Sequence, residues 1–165
     1  MRRCLFLLAS FLPAGALAAP PVLTSRYTSV DLHRCRTLEA QAATGSIRRR
    51  CPGLGAIPLY VSEDDERVDV DAGIDNGEWE SLPAFNSLSG PVEWRLADGR
   101  PFAIIFRLRN ASREQPPGST LMVETIGRAG APSCRIGMVD GALPDANARA
   151  RALADGAAHT PHCAN

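Results

Sequence analysis

Lysine is absent from this chain, and all 18 of its lysine-plus-arginine positions are arginine. We read this as the codon bias of a GC-rich genome, which indicates a bacterial source. No segment beyond the amino terminus has the run of about 18 apolar residues that a transmembrane helix needs. The chain also lacks a Gly-x-Ser-x-Gly elbow, a phosphate-binding loop and a dinucleotide fingerprint. These absences exclude a membrane span and leave no catalytic residue and no cofactor to assign.

The amino terminus predicts an export signal. Two arginines precede an apolar run over residues 4–12, and a small-residue sequence, Ala-Leu-Ala, ends at Ala18. That order is typical of a secretory signal peptide. We therefore predict a cleaved signal over residues 1–18 and a single disulfide-stapled domain over residues 19–165, located in the periplasm or secreted. Export through either the Sec or the Tat route fits the two arginines.

Four cysteines follow the predicted signal, and an even number in an exported chain indicates two disulfides. Local pairing joins Cys35 to Cys51 and Cys134 to Cys163, which closes loops short enough to form without threading the chain. Each bond would stabilise the fold by roughly 3–4 kcal/mol through loop entropy. Zinc binding is the rival interpretation, but no Cys-x-x-Cys pair is present and an oxidising compartment disfavours free thiolates. We predict disulfides and no metal site.

Charge is segregated along the chain. Residues 63–80 hold nine carboxylates and one arginine, a net charge of −8, whereas residues 26–50 hold six arginines and two carboxylates. Without the signal's two arginines, 16 arginines stand against 18 carboxylates, a net charge of −2 that gives no global attraction for nucleic acid. The candidate binding residues of the acidic stretch are Asp69, Asp71, Asp75 and Trp79.

An acidic field can steer a cationic protein to its binding site, and an aromatic side chain within a charged rim is a common interface anchor. We therefore predict a cationic protein as partner for the acidic stretch. Two plainer interpretations stay open: the stretch is a solvated strand edge, or it faces the basic segment across the domain. The aspartates also resemble part of a calcium loop, but they lack its closing glutamate.

Alternating apolar residues predict a largely antiparallel sheet. The clearest signal is a hairpin over residues 92–108, whose two alternating runs meet at an Asp-Gly turn. Residues 63–71 predict a half-exposed strand, with valines on one face and aspartates on the other. Further strands are predicted over residues 57–61, 120–126 and 135–139. The apolar spacing over residues 26–38 suits a strand or a short helix equally well. Residues 40–50 are polar and carry no strand prediction.

Residues 144–155 predict a helix, with proline near the start and glycine just after the end. The expected buried stripe consists of Leu143, Ala146, Ala150 and Leu153. The predicted fold class is therefore α+β: a mainly antiparallel β-sheet with a C-terminal helix packed on it and two disulfides.

Five stretches carry a family resemblance: residues 50–63, 92–96, 134–140, 145–148 and 152–155. Together they resemble a family of small exported bacterial proteins of unknown function, over most of the chain that follows the signal. The resemblance implies export and paired cysteines, and it implies no activity, cofactor or site residue.

These observations predict an exported, non-enzymatic binding domain of unknown partner, with an inhibitor of cationic hydrolases as one form. One alternative is an envelope structural protein or a small-ligand-binding protein, which would show an exposed apolar patch or a cavity. Another is an enzyme with an unrecognised active site, in which His33 or Asp140 would line a pocket. The oligomeric state stays open.

Overall fold

Nine antiparallel strands and one α-helix make up the part of the chain that the computed structural model describes, residues 19–112, 117–158 and 163. The strands are β1 (Leu23–Thr28), β2 (Arg36–Gln41), β3 (Ser46–Leu54), β4 (Ile57–Asp64), β5 (Arg67–Ala72), β6 (Asn86–Ala97), β7 (Arg100–Asn110), β8 (Ser119–Thr125) and β9 (Arg135–Asp140). The helix α1 spans Ala146–Gly156, and a short 3-10 helix spans Leu32–Arg34. The predicted signal peptide lies outside the described residues.

The strands form two sheets. Sheet A has the order β1-β6-β7-β8-β9, and sheet B has the order β2-β3-β4-β5. The predicted antiparallel fold with a carboxy-terminal helix is confirmed, although it contains two sheets where one was expected. The second sheet arises because β2 to β5 pair in sequence through short turns and leave no hydrogen-bonded edge shared with sheet A.

Strand β3 was not predicted, and β2 was predicted only in part, because most of their residues are polar and the segment predicted as a strand or a short helix ends at residue 38, inside β2. Ion pairs between neighbouring strands stabilise them: Arg48 contacts Glu39 at 2.8 Å, and Arg49 contacts Glu63 at 2.7 Å. Opposite charges on adjacent strands favour pairing by a few tenths of a kcal/mol to about 1 kcal/mol. Strands stabilised by ion pairs do not need alternating apolar residues, so a search for that alternation does not reveal them.

The main core lies between the inner faces of the two sheets. Leu59 and Val70 of sheet B pack in one cluster with Trp94 and Phe106 of sheet A, and all four are almost fully buried. The Trp94 indole N–H donates to Thr28 Oγ1 at 2.8 Å, so its polar atom is satisfied. The predicted β6–β7 hairpin supplies much of this core.

Both predicted disulfide pairings are present. Cys35 bonds to Cys51, whose side chain is buried in the main core. Cys134, immediately before β9, bonds to Cys163, which follows α1. Each bond therefore joins segments that neighbour one another in the fold.

Helix α1 packs on the outer face of sheet A through Ala146, Ala150 and Ala154. Alanines at this spacing share one helix face and allow a close approach to the sheet. The predicted stripe was wrong at Leu143 and Leu153, which are 38% and 39% exposed. They lie at the margin of the contact because the alanine face is the one that meets the sheet.

Two ion pairs fix the helix across sheet A. Arg151 contacts Glu93 at 2.6 Å, and Asp155 contacts Arg95 at 2.8 Å. Arg151 and Asp155 are four residues apart and so lie on the same helix face. Ser25 of β1 hydrogen-bonds both Glu93 and Arg95, which joins the two pairs into one network.

The sheets meet where the backbone of β5 crosses the β8–β9 connection. The Gly127 N–H donates to the Ala72 carbonyl at 2.8 Å. A Cβ atom on Gly73 would overlap the carbonyl oxygen of Gly127, and one on Gly127 would lie 2.6 Å from the Ile74 carbonyl oxygen. Gly73 also has a φ of 82°, a conformation that glycine tolerates best. Only glycine fits at either position.

We expect Gly127→Ala to destabilise the protein by about 2 kcal/mol or more, because its Cβ would meet backbone atoms on a second chain segment. Gly156→Ala is the matched control: a Cβ there meets nothing within 4 Å, and it lies at the end of α1. Replacing a helical glycine by alanine should be neutral or stabilise by up to about 1 kcal/mol. Urea denaturation gives the free energy of unfolding of both variants. Equal values for the two variants would contradict the close backbone contact between Gly127 and the end of β5.

Candidate functional site

The acidic stretch divides into a buried part and an exposed part. Asp69 and Asp71 lie on the outer face of sheet B, yet they are only 5% and 6% exposed. Residues 73–85, hereafter the strap, contact both side chains and cover this face. The prediction of one half-exposed strand over residues 63–71 was therefore wrong for its aspartate face, because the strap replaces solvent. It was also wrong in extent, because a turn at Asp65 and Glu66 divides these residues between β4 and β5. The binding role of these two aspartates stays a prediction.

Asp71 lies at the centre of the buried part. Its Oδ1 accepts a hydrogen bond from the Ser133 hydroxyl, which comes from the β8–β9 connection. Burial raises the pKa of Asp71 to about 7, and the negative charges of Asp69 and Asp75 add to this effect. The hydrogen bond from Ser133 opposes it without cancelling it. Asp71 thus titrates near neutral pH.

Asp69 is the second buried carboxyl group. Its oxygens accept the backbone N–H of Val70 at 3.0 Å and that of Glu80 at 3.3 Å. Burial raises the pKa of Asp69 to about 6, although both hydrogen bonds favour the ionised form. Desolvation therefore outweighs hydrogen bonding at this position.

Glu124 of β8 completes the buried group and is 1% exposed. Its Oε1 has no hydrogen-bond partner among the described residues. Burial raises the pKa of Glu124 well above its ordinary value, and the charges of Asp69, Asp71 and Glu80 raise it further. Arg135 opposes this rise, and its own Nε and Nη2 atoms are buried without hydrogen-bond partners in the described part of the chain.

We call Asp69, Asp71 and Glu124 the carboxylate cluster. Burial raises the pKa of all three carboxyl groups, so the cluster holds its protons to a higher pH than isolated carboxyl groups do. Sequence reasoning missed Glu124, and the one available signal was a single glutamate inside the apolar run of β8. Within the described part of the chain, no group of three or more His, Cys, Asp or Glu side chains is arranged to hold a metal ion.

The cluster predicts a pH-dependent stability. Because the folded-state pKa values of Asp69 and Asp71 are raised to about 6 and 7 from 3.8, the folded state holds their protons more tightly. Their stabilising contribution is complete below about pH 4 and is lost as the pH rises through 7. Asp69→Asn with Asp71→Asn should abolish this loss. Between pH 4 and pH 8, wild type should lose at least about 2 kcal/mol relative to the double variant.

Urea denaturation at several pH values between 4 and 8 gives the free energy of unfolding for each protein. Asp98→Asn is the control, since it removes a carboxylate from an exposed turn. Parallel pH profiles for wild type and the double variant would show that the two aspartates carry no linked proton uptake.

The other part is the turn of the β4–β5 hairpin, Glu63, Asp64, Asp65 and Glu66, hereafter the acidic tip. Asp65 and Glu66 are exposed, whereas Glu63 and Asp64 are half-buried and contact Arg49 and Ser46. Asp65 and Glu66 have φ values of 48° and 55°, the left-handed conformation that tight hairpin turns use. The Asp65 carboxylate contacts Arg67 at 3.2 Å. Glu66 has no arginine within 4 Å among the described residues, so its charge is open to solvent.

Trp79 of the strap lies beside the acidic tip and is 40% exposed. It lines a recess of about 190 Å³ together with Glu39, Glu63, Asp64 and Arg48. Three carboxylates thus line the recess with the indole, and two of them, Glu39 and Glu63, are ion-paired with Arg48 and Arg49. Trp79 therefore shares a recess with residues of the acidic tip, and its predicted role as an interface anchor stays a prediction.

Asp75 is the strap residue that forms an ion pair with sheet B. Its carboxylate contacts Arg48 at 3.1 Å and is 17% exposed. The Asn76 side chain, next in sequence, donates to the Ser133 carbonyl at 3.1 Å. Asp75 and Asn76 therefore hold the strap against both sheets, which places Trp79 and the acidic tip together.

The titratable groups expected at an unrecognised active site do not converge. His33 lies on the short 3-10 helix, whereas Asp140 lines a recess of about 500 Å³ between β9 and α1. That recess is largely apolar, with Met138, Leu143 and Leu153 in its wall. His33 is not part of its lining.

No helix among the described residues has both the length and the apolar character needed to cross a membrane. No protein-family model matches the chain. No curated protein matches it, and no solved structure does either.

Proposed function

We propose that the protein is an exported binding domain that captures a cationic protein through the acidic tip and Trp79. The observation that carries the proposal is the half-exposed indole of Trp79 in a recess rimmed by carboxylates. A large aromatic side chain provides apolar contact area, and a rim of one charge provides orientation and selectivity.

Rigidity of the surface supports this proposal. The strap is held by the Asp75–Arg48 ion pair and by the hydrogen bond from the Glu80 N–H to Asp69. The Arg67 guanidinium lies 5.9 Å from the centroid of the Trp79 ring and further restrains it. An anchor that is already ordered loses little conformational entropy on binding.

Charge supports a cationic partner. In the recess, Glu39 and Glu63 are paired with Arg48 and Arg49. Asp64 has no arginine within 4 Å among the described residues and leaves the recess with one uncompensated negative charge. Glu66 and Glu78 are exposed nearby in sequence and have no arginine within 4 Å among the described residues. Such a field accelerates encounter with a cationic surface and weakens with salt.

Location in the periplasm or outside the cell fits the two disulfides, since such bonds persist in oxidising compartments. The predicted signal peptide gives the same location. An inhibitor of a cationic hydrolase is one form that such a domain takes. A second candidate, an envelope structural or small-ligand-binding role, is favoured by the apolar recess between β9 and α1.

A pull-down on immobilised residues 19–165 tests the proposal. Envelope and extracellular proteins are applied at low salt and again at about 0.5 M salt, where the Debye length falls to roughly 4 Å. We expect a cationic partner that is retained at low salt and released at high salt. Trp79→Ala should weaken its binding by at least about tenfold, as for an interface anchor.

Matched variants separate this surface from general effects. Glu66→Gln with Glu78→Gln should slow association and flatten the salt dependence. Asp98→Asn with Asp145→Asn removes two carboxylates elsewhere, and Met138→Ala removes an exposed apolar side chain of sheet A. These controls should bind as wild type does. Equal losses in test and control variants, or no partner at either salt concentration, would contradict the proposal.

A further inference from the structure

A polar pocket of about 310 Å³ lies on the outer face of sheet A, beside helix α1. A β-bulge opens it: Ser89 of β6 pairs with Arg107 of β7, and Glu93 pairs with Ile105, so β6 has two extra residues between these pairs. Bulges bend a strand away from its partner and occur often beside binding sites. The extra residues form one wall of the pocket, and α1 forms another.

One arginine in the pocket is already neutralised. Arg151 donates from Nε to Glu93 at 2.6 Å and from Nη2 to the Tyr27 hydroxyl at 3.0 Å. Burial opposes ionisation of Glu93, but the hydrogen bonds from Arg151 and Ser25 hold the pKa of this carboxyl below its ordinary value. Glu93 is therefore charged, and the Arg151–Glu93 pair contributes no net charge to the pocket.

The second arginine is positioned without a compensating charge. Arg107 donates from Nη1 to Ser119 Oγ at 2.7 Å and from Nη2 to Asn147 Oδ1 at 3.3 Å. Both acceptors are neutral, and no carboxylate lies within 4 Å of Arg107 among the described residues. The pocket thus has a net charge of +1, on a guanidinium whose orientation is set by hydrogen bonds.

The other walls define the chemistry of the ligand. Ile105 and Leu121 provide an apolar floor, and the Tyr27 ring, 54% exposed, stands at the side. Asn147 lies in the first turn of α1, where the helix dipole favours negative charge. A planar guanidinium binds planar carboxylates through paired hydrogen bonds. The volume is at the lower end for small-molecule sites.

We propose that this pocket binds a small organic carboxylate, with Arg107 holding the carboxylate and the floor of Ile105 and Leu121 contacting the apolar body. The carboxylate can belong to a free small molecule or to the last residue of a peptide. This site lies on sheet A and α1 and shares no residue with the acidic tip, so the inference is independent of the proposed function.

Calorimetric titration of residues 19–165 tests the inference with five probes. They are benzoate, hexanoate, inorganic phosphate, and the peptide Ala-Ala-Phe with a free or an amidated carboxyl terminus. We expect saturable binding of at least one carboxylate, with no binding of the amidated peptide. Binding of the free peptide alone identifies a peptide terminus as the source, and binding of benzoate or hexanoate identifies a small molecule.

Variants then locate the binding site. Arg107→Gln should weaken carboxylate binding at least tenfold, and Arg107→Lys should restore part of the loss because it returns the charge without the planar fork. Arg109→Gln is the matched control, since it removes an exposed arginine two residues along the same strand. Thermal unfolding of each variant checks that the fold is retained. In addition, amide NMR shifts on carboxylate addition should include Gly90 and Asn147.

Three results would overturn the inference. The first is the absence of saturable binding for all carboxylate probes. The second is tighter binding of phosphate than of any carboxylate, which would assign the pocket to a different anion. The third is an equal loss of affinity in Arg107→Gln and Arg109→Gln, which would show a diffuse charge effect.

Discussion

Where β5 ends, its backbone passes so close to the β8–β9 connection that Gly73 and Gly127 have no room for a side chain. This contact joins the edge of sheet B to sheet A, although the two sheets share no strand. It brings Ser133 to Asp71 and starts the strap on a course across the outer face of sheet B. The burial of the aspartates and the position of Trp79 both follow from it.

The contact between β5 and the β8–β9 connection has its largest chemical effect through the carboxyl groups that it helps to bury. An ionised carboxylate in an apolar environment is costly unless hydrogen bonds or opposite charges compensate it. Asp69 and Asp71 have hydrogen-bond donors, whereas Glu124 has none at Oε1. A buried carboxyl group avoids this cost when it keeps its proton, and the pKa values of all three groups are raised for this reason. The outer face of β5 is thus acidic in sequence and largely uncharged in the fold at mildly acidic pH.

Local patterns were enough to predict the β6–β7 hairpin, the helix and both disulfides, because turn chemistry, capping residues and cysteine order act over short distances. The second sheet was not predictable in this way, since ion pairs replace apolar alternation in β2 and β3. Of the candidate site, the sequence indicated only that Trp79 lies among acidic residues, and its binding role stays a prediction. The burial of Asp69 and Asp71 depends on a strap that arrives from outside β5, and the importance of Glu124 and Arg107 depends on partners in distant strands and in the helix.

The buried cluster and the exposed tip are connected through the strap. The Glu80 N–H that donates to Asp69 belongs to the residue after Trp79, so the ionisation state of Asp69 changes the strength of a bond adjacent to the indole. Ionisation strengthens that hydrogen bond and at the same time increases repulsion from Glu80. The balance between these effects acts on the segment that presents Trp79. The pocket of Arg107 rests on α1 and the β6 bulge and is isolated from this balance. One core therefore carries an acidic surface on one sheet and a pocket of opposite charge on the other.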